Sequence, residues 1–194
     1  MNAIYLSIRN FPLNKNQLLN FEYTFYRNRI YILTGPNGSG KTTIFNFLSG
    51  LKKHPNVIIK PSMNFKPLVS RVFQDLKLVP YYSGIKNCRL PFEINNERIN
   101  NEVILNLASD IKIDFDLNIP VKELSGGQQQ KIAILRMLLL NREIILLDEV
   151  TSNLDVEYKK FIVNYIINQY HDKFIIFISH DEYIMQMGEL ISLE

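Results

Sequence analysis

Residues 35–42 read Gly-Pro-Asn-Gly-Ser-Gly-Lys-Thr, and this spacing of glycines before a lysine and a hydroxyl residue is typical of a phosphate-binding loop (P-loop). The glycines let the backbone turn tightly, so that several N–H groups converge on an anion. The ammonium group of Lys41 could reach the outer phosphates, and the hydroxyl group of Thr42 could bind Mg²⁺. We predict that these residues bind a nucleotide: Gly35, Pro36, Asn37, Gly38, Ser39, Gly40, Lys41, Thr42 and Thr43.

The residues on either side of the loop predict a strand before it and a helix after it. Residues 29–34 form a short apolar run that suits a buried strand. Apolar residues between positions 44 and 51 recur with helical spacing, and Gly50 is a suitable end for that helix. In this order the helix N-terminus points at the phosphates. The helix dipole then stabilises each negative charge by about 1 kcal/mol beyond the direct hydrogen bonds.

A second acidic group follows the apolar segment at residues 144–147, where Asp148 and Glu149 stand side by side. The carboxyl ends of strands are where ligands bind in open α/β sheets. We therefore expect Asp148 to bind Mg²⁺ from the side opposite Thr42. Glu149 could orient the attacking water as a general base, which is typically worth about 10²–10⁴ in rate. Taken alone, such a pair also fits a solvated strand end, and the upstream P-loop favours the metal site.

Residues 124–130 read Leu-Ser-Gly-Gly-Gln-Gln-Gln and predict a second anion site. Ser125 is a good N-cap, and Gly126 and Gly127 leave bare N–H groups at the start of a helix. A single nucleotide does not need two such helix starts.

This segment resembles the signature motif of the ATP-binding-cassette (ABC) ATPases, and the resemblance covers the chain from about residue 3 to about residue 185. It implies that the signature motif of one subunit closes on the ATP bound to the P-loop of a second subunit. Residues 151–155 resemble the D-loop, which lies at that interface. The residues that the resemblance assigns to nucleotide binding in this way are Ser125, Gly126, Gly127, Gln128 and Asp155.

Two further motifs of the family follow predicted strands. Gln74, in Phe73-Gln74-Asp75, resembles the Q-loop glutamine, and His180, in Ser179-His180-Asp181, resembles the H-loop histidine. The resemblance implies that Gln74 contacts Mg²⁺ and the attacking water, and that His180 reaches the γ-phosphate. The predicted catalytic residues are Glu149, His180 and Gln74. The predicted metal ligands are Thr42, Gln74 and Asp148.

An aromatic side chain that stacks on adenine is expected upstream of the P-loop in this family. Counting back from Gly35 gives Phe11, with Tyr5 as the competing residue. An aromatic residue in an N-terminal strand is also a frequent core residue.

The composition limits the other functions. The chain has 194 residues, 46% hydrophobic and 21% charged, which is ordinary for a globular domain. No apolar run approaches the roughly 20 residues of a membrane span, and the N-terminus lacks the features of a secretory signal. The single cysteine, Cys88, can form neither an internal disulfide nor a zinc cluster, so we expect a cytoplasmic location. A net charge of +3 is too small to predict binding to nucleic acid.

The expected fold is α/β: a P-loop NTPase core with a mostly parallel sheet, a small N-terminal antiparallel β subdomain and an inserted helical subdomain. Alternating apolar residues at 3–8 and 21–25 predict half-buried strands, whereas the continuous apolar runs near residues 30, 144 and 174 predict parallel strands. We expect one domain over residues 1–194, with the helical subdomain at about 76–140. Helices are predicted near 97–109, 126–140 and 156–170, and the rest of 80–120 reads as irregular.

The function that we expect is an ATP-binding and ATP-hydrolysing subunit that powers a membrane transporter, with export as the expected direction, through ATP-dependent dimerisation. It would use ATP and Mg²⁺, pair with a second ATPase subunit (the same chain or a related one), and lie on the inner face of the cell membrane against a separate multi-span subunit. Residues 75–87 resemble the region where such a subunit docks. Their apolar and aromatic side chains would also fit a core.

Three alternatives carry less support. A soluble ABC-type ATPase acting on nucleic acid or the ribosome usually has two cassettes, a coiled coil or zinc-binding cysteines, none of which this sequence shows. A GTPase would need an Asn-Lys-x-Asp motif, and residues 14–17 lack the acid. A cassette that only binds ATP is disfavoured because the chemical groups for hydrolysis are all present.

Overall fold

The computed structural model describes residues 1–194 and contains eight strands and six α-helices. The strands are β1 (Ala3–Asn14), β2 (Gln17–Tyr26), β3 (Arg29–Thr34), β4 (Val57–Lys60), β5 (Val69–Val72), β6 (Ile144–Asp148), β7 (Phe174–Ile178) and β8 (Glu189–Ser192). The helices are α1 (Lys41–Leu48), α2 (Gly84–Ile94), α3 (Asn101–Asp110), α4 (Gly126–Leu139), α5 (Val156–Gln169) and α6 (Glu182–Met185). Two short 3₁₀ helices lie at Lys66–Leu68 and Val121–Glu123.

The chain divides into two compact units. Unit 1 consists of Met1–Arg71, Arg142–Glu149 and Ile166–Glu194. Unit 2 consists of Val72–Asn141 and Val150–Tyr165. The helical subdomain that we predicted at about 76–140 falls within the first segment of unit 2, and the prediction of a single domain stays a prediction.

Unit 1 is built on two sheets. The antiparallel sheet has the strand order β2-β1-β4, and the second sheet has the order β5-β6-β7-β3-β8. In the second sheet β3 pairs in parallel with β7 and β8, and β6 pairs in parallel with β7. All five residues of β6 and of β7 are buried, as their continuous apolar sequences predicted. The predicted fold class is confirmed.

One hydrophobic core lies between the elements of unit 1. It includes Leu6 of β1, Phe25 of β2, Leu33 of β3, Phe45 of α1 and Ile176 of β7. The apolar side of α1, which follows the P-loop, is therefore fixed against both sheets. Gly50 has φ +66° just after this helix, a left-handed conformation that suits glycine and ends the helix where the sequence predicted.

Unit 2 is helical, and its helix α2 was missed in the sequence. Ser83 caps α2 by accepting a hydrogen bond from the N–H of Lys86 at 3.2 Å. The fully buried amide of Asn87 accepts from the N–H of Val79 at 2.8 Å and donates to the carbonyl oxygen of Val79 at 3.1 Å. These contacts tie the irregular segment before α2 to the helix, so a polar residue that reads as loop in the sequence is part of the core.

None of the six helices combines the length and the apolar character that crossing a lipid bilayer requires.

Candidate nucleotide-binding site

The P-loop has the backbone shape that an anion site needs. Gly35 has φ +135°, and a Cβ atom there would overlap the carbonyl oxygen of Leu193, so only glycine fits. Gly40, with φ +102°, precedes α1, and no side chain caps the helix. The first N–H groups of α1 therefore have neither intrahelical nor side-chain cap partners, and they face the loop that precedes them.

Lys41 is the charged group inside this loop. Its ammonium group donates to the carbonyl oxygens of Gly35 at 2.6 Å and Pro36 at 2.9 Å, and the residue is only 7% exposed. Thr42 is exposed next to it. Residues 36–38 form the exposed tip of the loop. Uncapped amides, an ammonium group and a hydroxyl group thus surround a space open to solvent, which suits a phosphate chain.

Sheet register brings the other predicted groups of unit 1 to the same edge. Ile178 at the end of β7 is aligned with Leu33 of β3 on one side and with Asp148 of β6 on the other. Gly35 comes two residues after Leu33, and His180 comes two residues after Ile178. Because neighbouring strands lie about 4.8 Å apart, the P-loop, Asp148 and His180 all start from one short row of residues.

Asp148 is buried and paired with a cation. Its Oδ2 atom accepts a hydrogen bond from Nη2 of Arg71 at 2.7 Å, with the two side chains 3% and 4% exposed. Burial raises the pKa of Asp148, while the hydrogen bond and charge of Arg71 lower it. Glu149 also raises this pKa and Lys41 lowers it, so both groups lie within electrostatic range of the carboxylate.

Glu149 has an unusual backbone. Its φ of +50° is in the left-handed region, which is uncommon for a residue other than glycine or asparagine. Its N–H donates to the carbonyl oxygen of Ile178 at 3.0 Å, which holds this conformation in place. A strained residue of this kind costs about 1–3 kcal/mol and is frequent at functional sites. The chain thus turns sharply just after Asp148, at a half-buried carboxylate.

The donor set of unit 1 fits Mg²⁺. Thr42 offers a hydroxyl oxygen and Asp148 a carboxylate oxygen, the hard donors that this cation prefers. No group of three or more His, Cys, Asp or Glu residues is placed to hold a metal ion. Mg²⁺ is usually held by one or two protein ligands together with substrate phosphates and water. Bound there, the cation would supply charge neutralisation to the phosphates.

Unit 2 holds the second helix start. Ser125 Oγ accepts from the N–H of Gln128 at 3.3 Å, and Gln128 Oε1 accepts from the N–H of Ser125 at 2.9 Å. This reciprocal pair is a capping box, so the predicted N-cap is confirmed. Ser125 and Gly126 are exposed, so the amides at the tip of α4 are accessible to an anion.

The D-loop residues lie against this helix start within unit 2. Asn153 donates its N–H to Oε1 of Gln130 at 3.1 Å, and Gln130 is almost fully buried. Asp155 accepts a hydrogen bond from the N–H of Tyr158 at 2.8 Å, so its carboxylate caps α5. The structure therefore gives Asp155 a structural contact, and its predicted contact with nucleotide stays a prediction.

The exposed Gln74 is followed by an anchored segment of unit 2. Leu76 and Lys77 have φ values of +53° and +47°. The guanidinium group of Arg136 donates to their carbonyl oxygens at 2.6 and 2.8 Å. Arg136 thus holds the strained turn directly after the glutamine.

The structure does not support the predicted stacking of Phe11 on adenine. The residue is 5% exposed, its ring packs edge-on with Phe47 and His54, and the ammonium group of Lys52 lies 4.5 Å from its ring centroid. A base that stacks needs an open ring face, which Phe11 does not offer. The structure thus places it in the core, the alternative weighed above, and we do not propose it as the adenine contact.

A cavity of about 1130 Å³ lies elsewhere in unit 1. It is lined by residues after the end of α1 and around β4, among them Leu51, Met63 and Phe65, and includes no P-loop residue. It is therefore separate from the nucleotide site.

The sequence did not predict three polar side chains that position predicted site residues: the buried side chains of Arg71 in unit 1 and Gln130 in unit 2, and the half-buried Arg136 in unit 2. A charged residue within the apolar strand β5 was the available signal for Arg71. Gln130 follows two other glutamines at the start of α4, where nothing distinguishes a buried side chain from a solvated one, and Arg136 is the single charged residue in the apolar second half of that helix.

A strand, a glycine loop, a helix and an acidic residue at the end of another strand of the same sheet define a P-loop protein that binds nucleoside triphosphates. A family model described as ABC transporter matches residues 18–152. The chain belongs to this family, which confirms the resemblance of its motifs. It is an ATP-binding cassette with ATPase activity.

Known proteins resemble the chain over most of its length. The uncharacterized ABC transporter ATP-binding protein YclH of Bacillus subtilis is 31% identical, over 91% of this chain and 86% of that protein. The zinc import ATP-binding protein ZnuC of Hydrogenovibrio crunogenus is 30% identical, over 89% of this chain and 70% of that protein. The ATP-binding cassette MJ0796, solved as a dimer in a post-hydrolysis state with ADP and Pi, has the same fold. Its TM-score is 0.83 at 24% identity, over 98% of this chain and 94% of that one.

Proposed function

We propose that two such cassettes close around two ATP molecules and that this closure drives a membrane transporter. The observation that carries the proposal is the pair of helix starts. In unit 1, α1 begins directly after the P-loop and has no side-chain cap. In unit 2, α4 begins at the exposed residues Ser125 and Gly126. Each helix start can bind an anion, and we infer from the resemblance to the ABC ATPases that the ATP on the P-loop of one chain meets the start of α4 of a partner subunit.

The chemistry that we propose starts with the grip on the phosphates. Lys41 exchanges its contacts with the carbonyl oxygens of Gly35 and Pro36 for the outer phosphates. Thr42 and Asp148 would hold Mg²⁺, which would neutralise charge on the phosphates, and Gln74 stays a predicted further ligand. Binding thus replaces contacts within the loop with stronger, charge-assisted ones.

Hydrolysis follows from the groups at the strand ends. Glu149 takes a proton from a water aligned with the γ-phosphate, the water oxygen bonds to the γ-phosphorus, and the bond from that phosphorus to the β–γ bridging oxygen breaks, so that ADP and inorganic phosphate form. His180, exposed after β7, donates a hydrogen bond to the γ-phosphate. Ser125 and the amides of Gly126 and Gly127 of the partner cassette stabilise the same phosphate from the other side. Loss of the γ-phosphate removes this bridge, and the dimer reopens.

The surface for the membrane subunit that we propose lies just beyond Gln74. Tyr81 is 76% exposed and Tyr82 is 39% exposed, whereas Leu78 and Val79 in the same segment are half-buried. Two large exposed aromatic rings on one short segment are typical anchors of a protein interface. This contact would place the cassette on the inner face of the cell membrane.

The direction of transport is a separate matter. ZnuC is named for import, so cassettes of this similarity serve importers. The export that we expected from the sequence stays a prediction, which transport assays of the complete transporter test.

A mixed dimer tests the two-subunit mechanism. Ser125→Arg removes the cap and places a bulky side chain on the tip of α4, so we expect hydrolysis to be blocked while ATP still binds to the P-loop of the same chain. A cassette carrying Ser125→Arg is mixed with one carrying Lys41→Ala, so that each dimer keeps one complete composite site. Partial recovery of ATPase activity supports the proposal. If Ser125→Arg alone hydrolyses ATP at the wild-type rate, the second helix tip has no role and the proposal is wrong.

A further inference from the structure

Arg71 connects three elements around the predicted metal ligand. It lies on β5, which neighbours β6 in the sheet, and its Nη2 atom contacts Asp148 at the end of β6 at 2.7 Å. Its Nη1 atom donates to Oδ1 of Asn46 on α1 at 2.8 Å. Its guanidinium carbon lies 5.3 Å from the ring centroid of Phe45, also on α1. The guanidinium group is thus fixed between the P-loop helix and the strand that carries Asp148.

The burial of the pair explains why Asp148 needs this cation. An ionised carboxylate that is 3% exposed has lost most of its hydration, and an unpaired buried charge is strongly destabilising. Arg71 supplies the compensating charge within hydrogen-bond distance. A divalent cation bound to Asp148 would supply the same compensation, and it would stand next to the guanidinium group.

Two cations at one carboxylate repel each other. A guanidinium group and a divalent ion a few ångströms apart in a partly buried site repel each other strongly, because the site screens their charges less than bulk water does. Asn46 and Phe45 hold the guanidinium group of Arg71 in place, so an ion that displaced this group would break both contacts.

From this geometry we propose that Arg71 is a built-in counter-cation of Asp148 that competes with Mg²⁺ and so sets the Mg²⁺ concentration at which the nucleotide site fills. Arg71 acts through Asp148 and is therefore a positioning residue. The inference rests on the proposed role of Asp148 as a metal ligand.

Nucleotide binding at controlled Mg²⁺ tests this inference. The probe is an ATP analogue with a fluorescent methylanthraniloyl group on the ribose, titrated from excess EDTA to millimolar free Mg²⁺. Arg71→Met keeps the length of the side chain and its packing on Phe45 but removes the charge. We expect the Mg²⁺ midpoint to fall at least about tenfold. Binding in EDTA is expected to weaken, because Asp148 then repels the phosphates without compensation.

Two further variants keep the test sharp if Arg71→Met does not fold. Arg71→Gln is neutral but still donates a hydrogen bond to Asp148, and we expect the same shift. Arg71→Lys retains the charge without the fork, so its midpoint is expected within about threefold of the wild type.

The matched control is Arg27→Met. Arg27 forms an ion pair with Glu143, which directly precedes β6 and lies about 16 Å from Asp148 along the extended chain. If Arg71→Met and Arg71→Gln keep the wild-type midpoint, or if Arg27→Met shifts it equally, the inference is wrong. If the wild type itself fails to bind the analogue at any Mg²⁺ concentration, the nucleotide site is wrong and this inference with it.

Discussion

A Cβ atom built on Gly127 would lie 2.9 Å from the carbonyl oxygen of Asn153. The start of α4 and the D-loop therefore meet backbone to backbone within unit 2. The side chain of Gln130, one turn further along α4, accepts a hydrogen bond from the N–H of Asn153 and fixes this contact. A glycine that exposes amide groups to an anion thus also sets the position of the neighbouring loop.

Gly127→Ala should separate these two elements. The added methyl group meets a backbone oxygen that cannot rotate away, so we expect unfolding to become easier by about 1–3 kcal/mol. The measurement is urea denaturation followed by circular dichroism. Gly126→Ala is the matched control. Its Cβ atom would lie 3.9 Å from the side-chain nitrogen Nδ2 of Asn153, which is an ordinary van der Waals contact. Equal stability of the two variants would contradict the packing described for Gly127.

The sequence predicted the groups whose chemistry is local. The apolar runs of β3, β6 and β7 follow directly from burial on both faces of a parallel sheet. The capping box of Ser125 needs only residues within one turn, so its formation could be predicted from the sequence. The same holds for the shape of the P-loop, where glycines stand at the positive φ angles.

The groups that depend on a distant partner could not be predicted. Arg71 needs Asp148, which is 77 positions away along the chain, and Gln130 needs Asn153. Phe11 has the right residue type for a base contact, but its ring is covered by Phe47. In each case tertiary packing decides the role, and a single sequence carries no record of which side chains meet.

The reactivity of the Cys88 thiol measures how well unit 2 protects its interior from solvent. The thiol is fully buried on α2, and burial raises its pKa to about 12, while the charge of Arg136 lowers it slightly. Since the thiolate is the reactive form, we expect a disulfide reagent at pH 8 to react at least about a thousandfold more slowly than with free cysteine. Urea-unfolded protein should react at the ordinary rate, and Cys88→Ala gives the background. Rapid stoichiometric labelling of the native protein would contradict the burial of Cys88.

The raised pKa also predicts a dependence of stability on pH. The folded state keeps the thiol protonated above the pH at which the unfolded chain loses this proton. The stabilisation from Cys88 is therefore fully present below about pH 8.5 and is lost as the pH rises towards 12. Relative to Cys88→Ala, the free energy of unfolding should fall by about 1.4 kcal/mol per pH unit between pH 9 and 10. A difference that stays constant over this range would show that the thiol is hydrated in the folded state.

Glu149→Gln should separate ATP binding from hydrolysis. The amide keeps the shape of the side chain and its turn at φ +50° but cannot take a proton from water, so we expect turnover to fall by about 10²–10⁴. ATP should still bind, and the closed dimer should accumulate because the step that opens it is slow. Phosphate release and size-exclusion chromatography with light scattering in ATP and Mg²⁺ measure the two effects.

Glu157→Gln, which changes an exposed carboxylate in the first turn of α5, is the control and should keep the wild-type rate. A Glu149→Gln variant that stays monomeric with ATP, while the wild type turns over freely, would contradict the two-subunit mechanism.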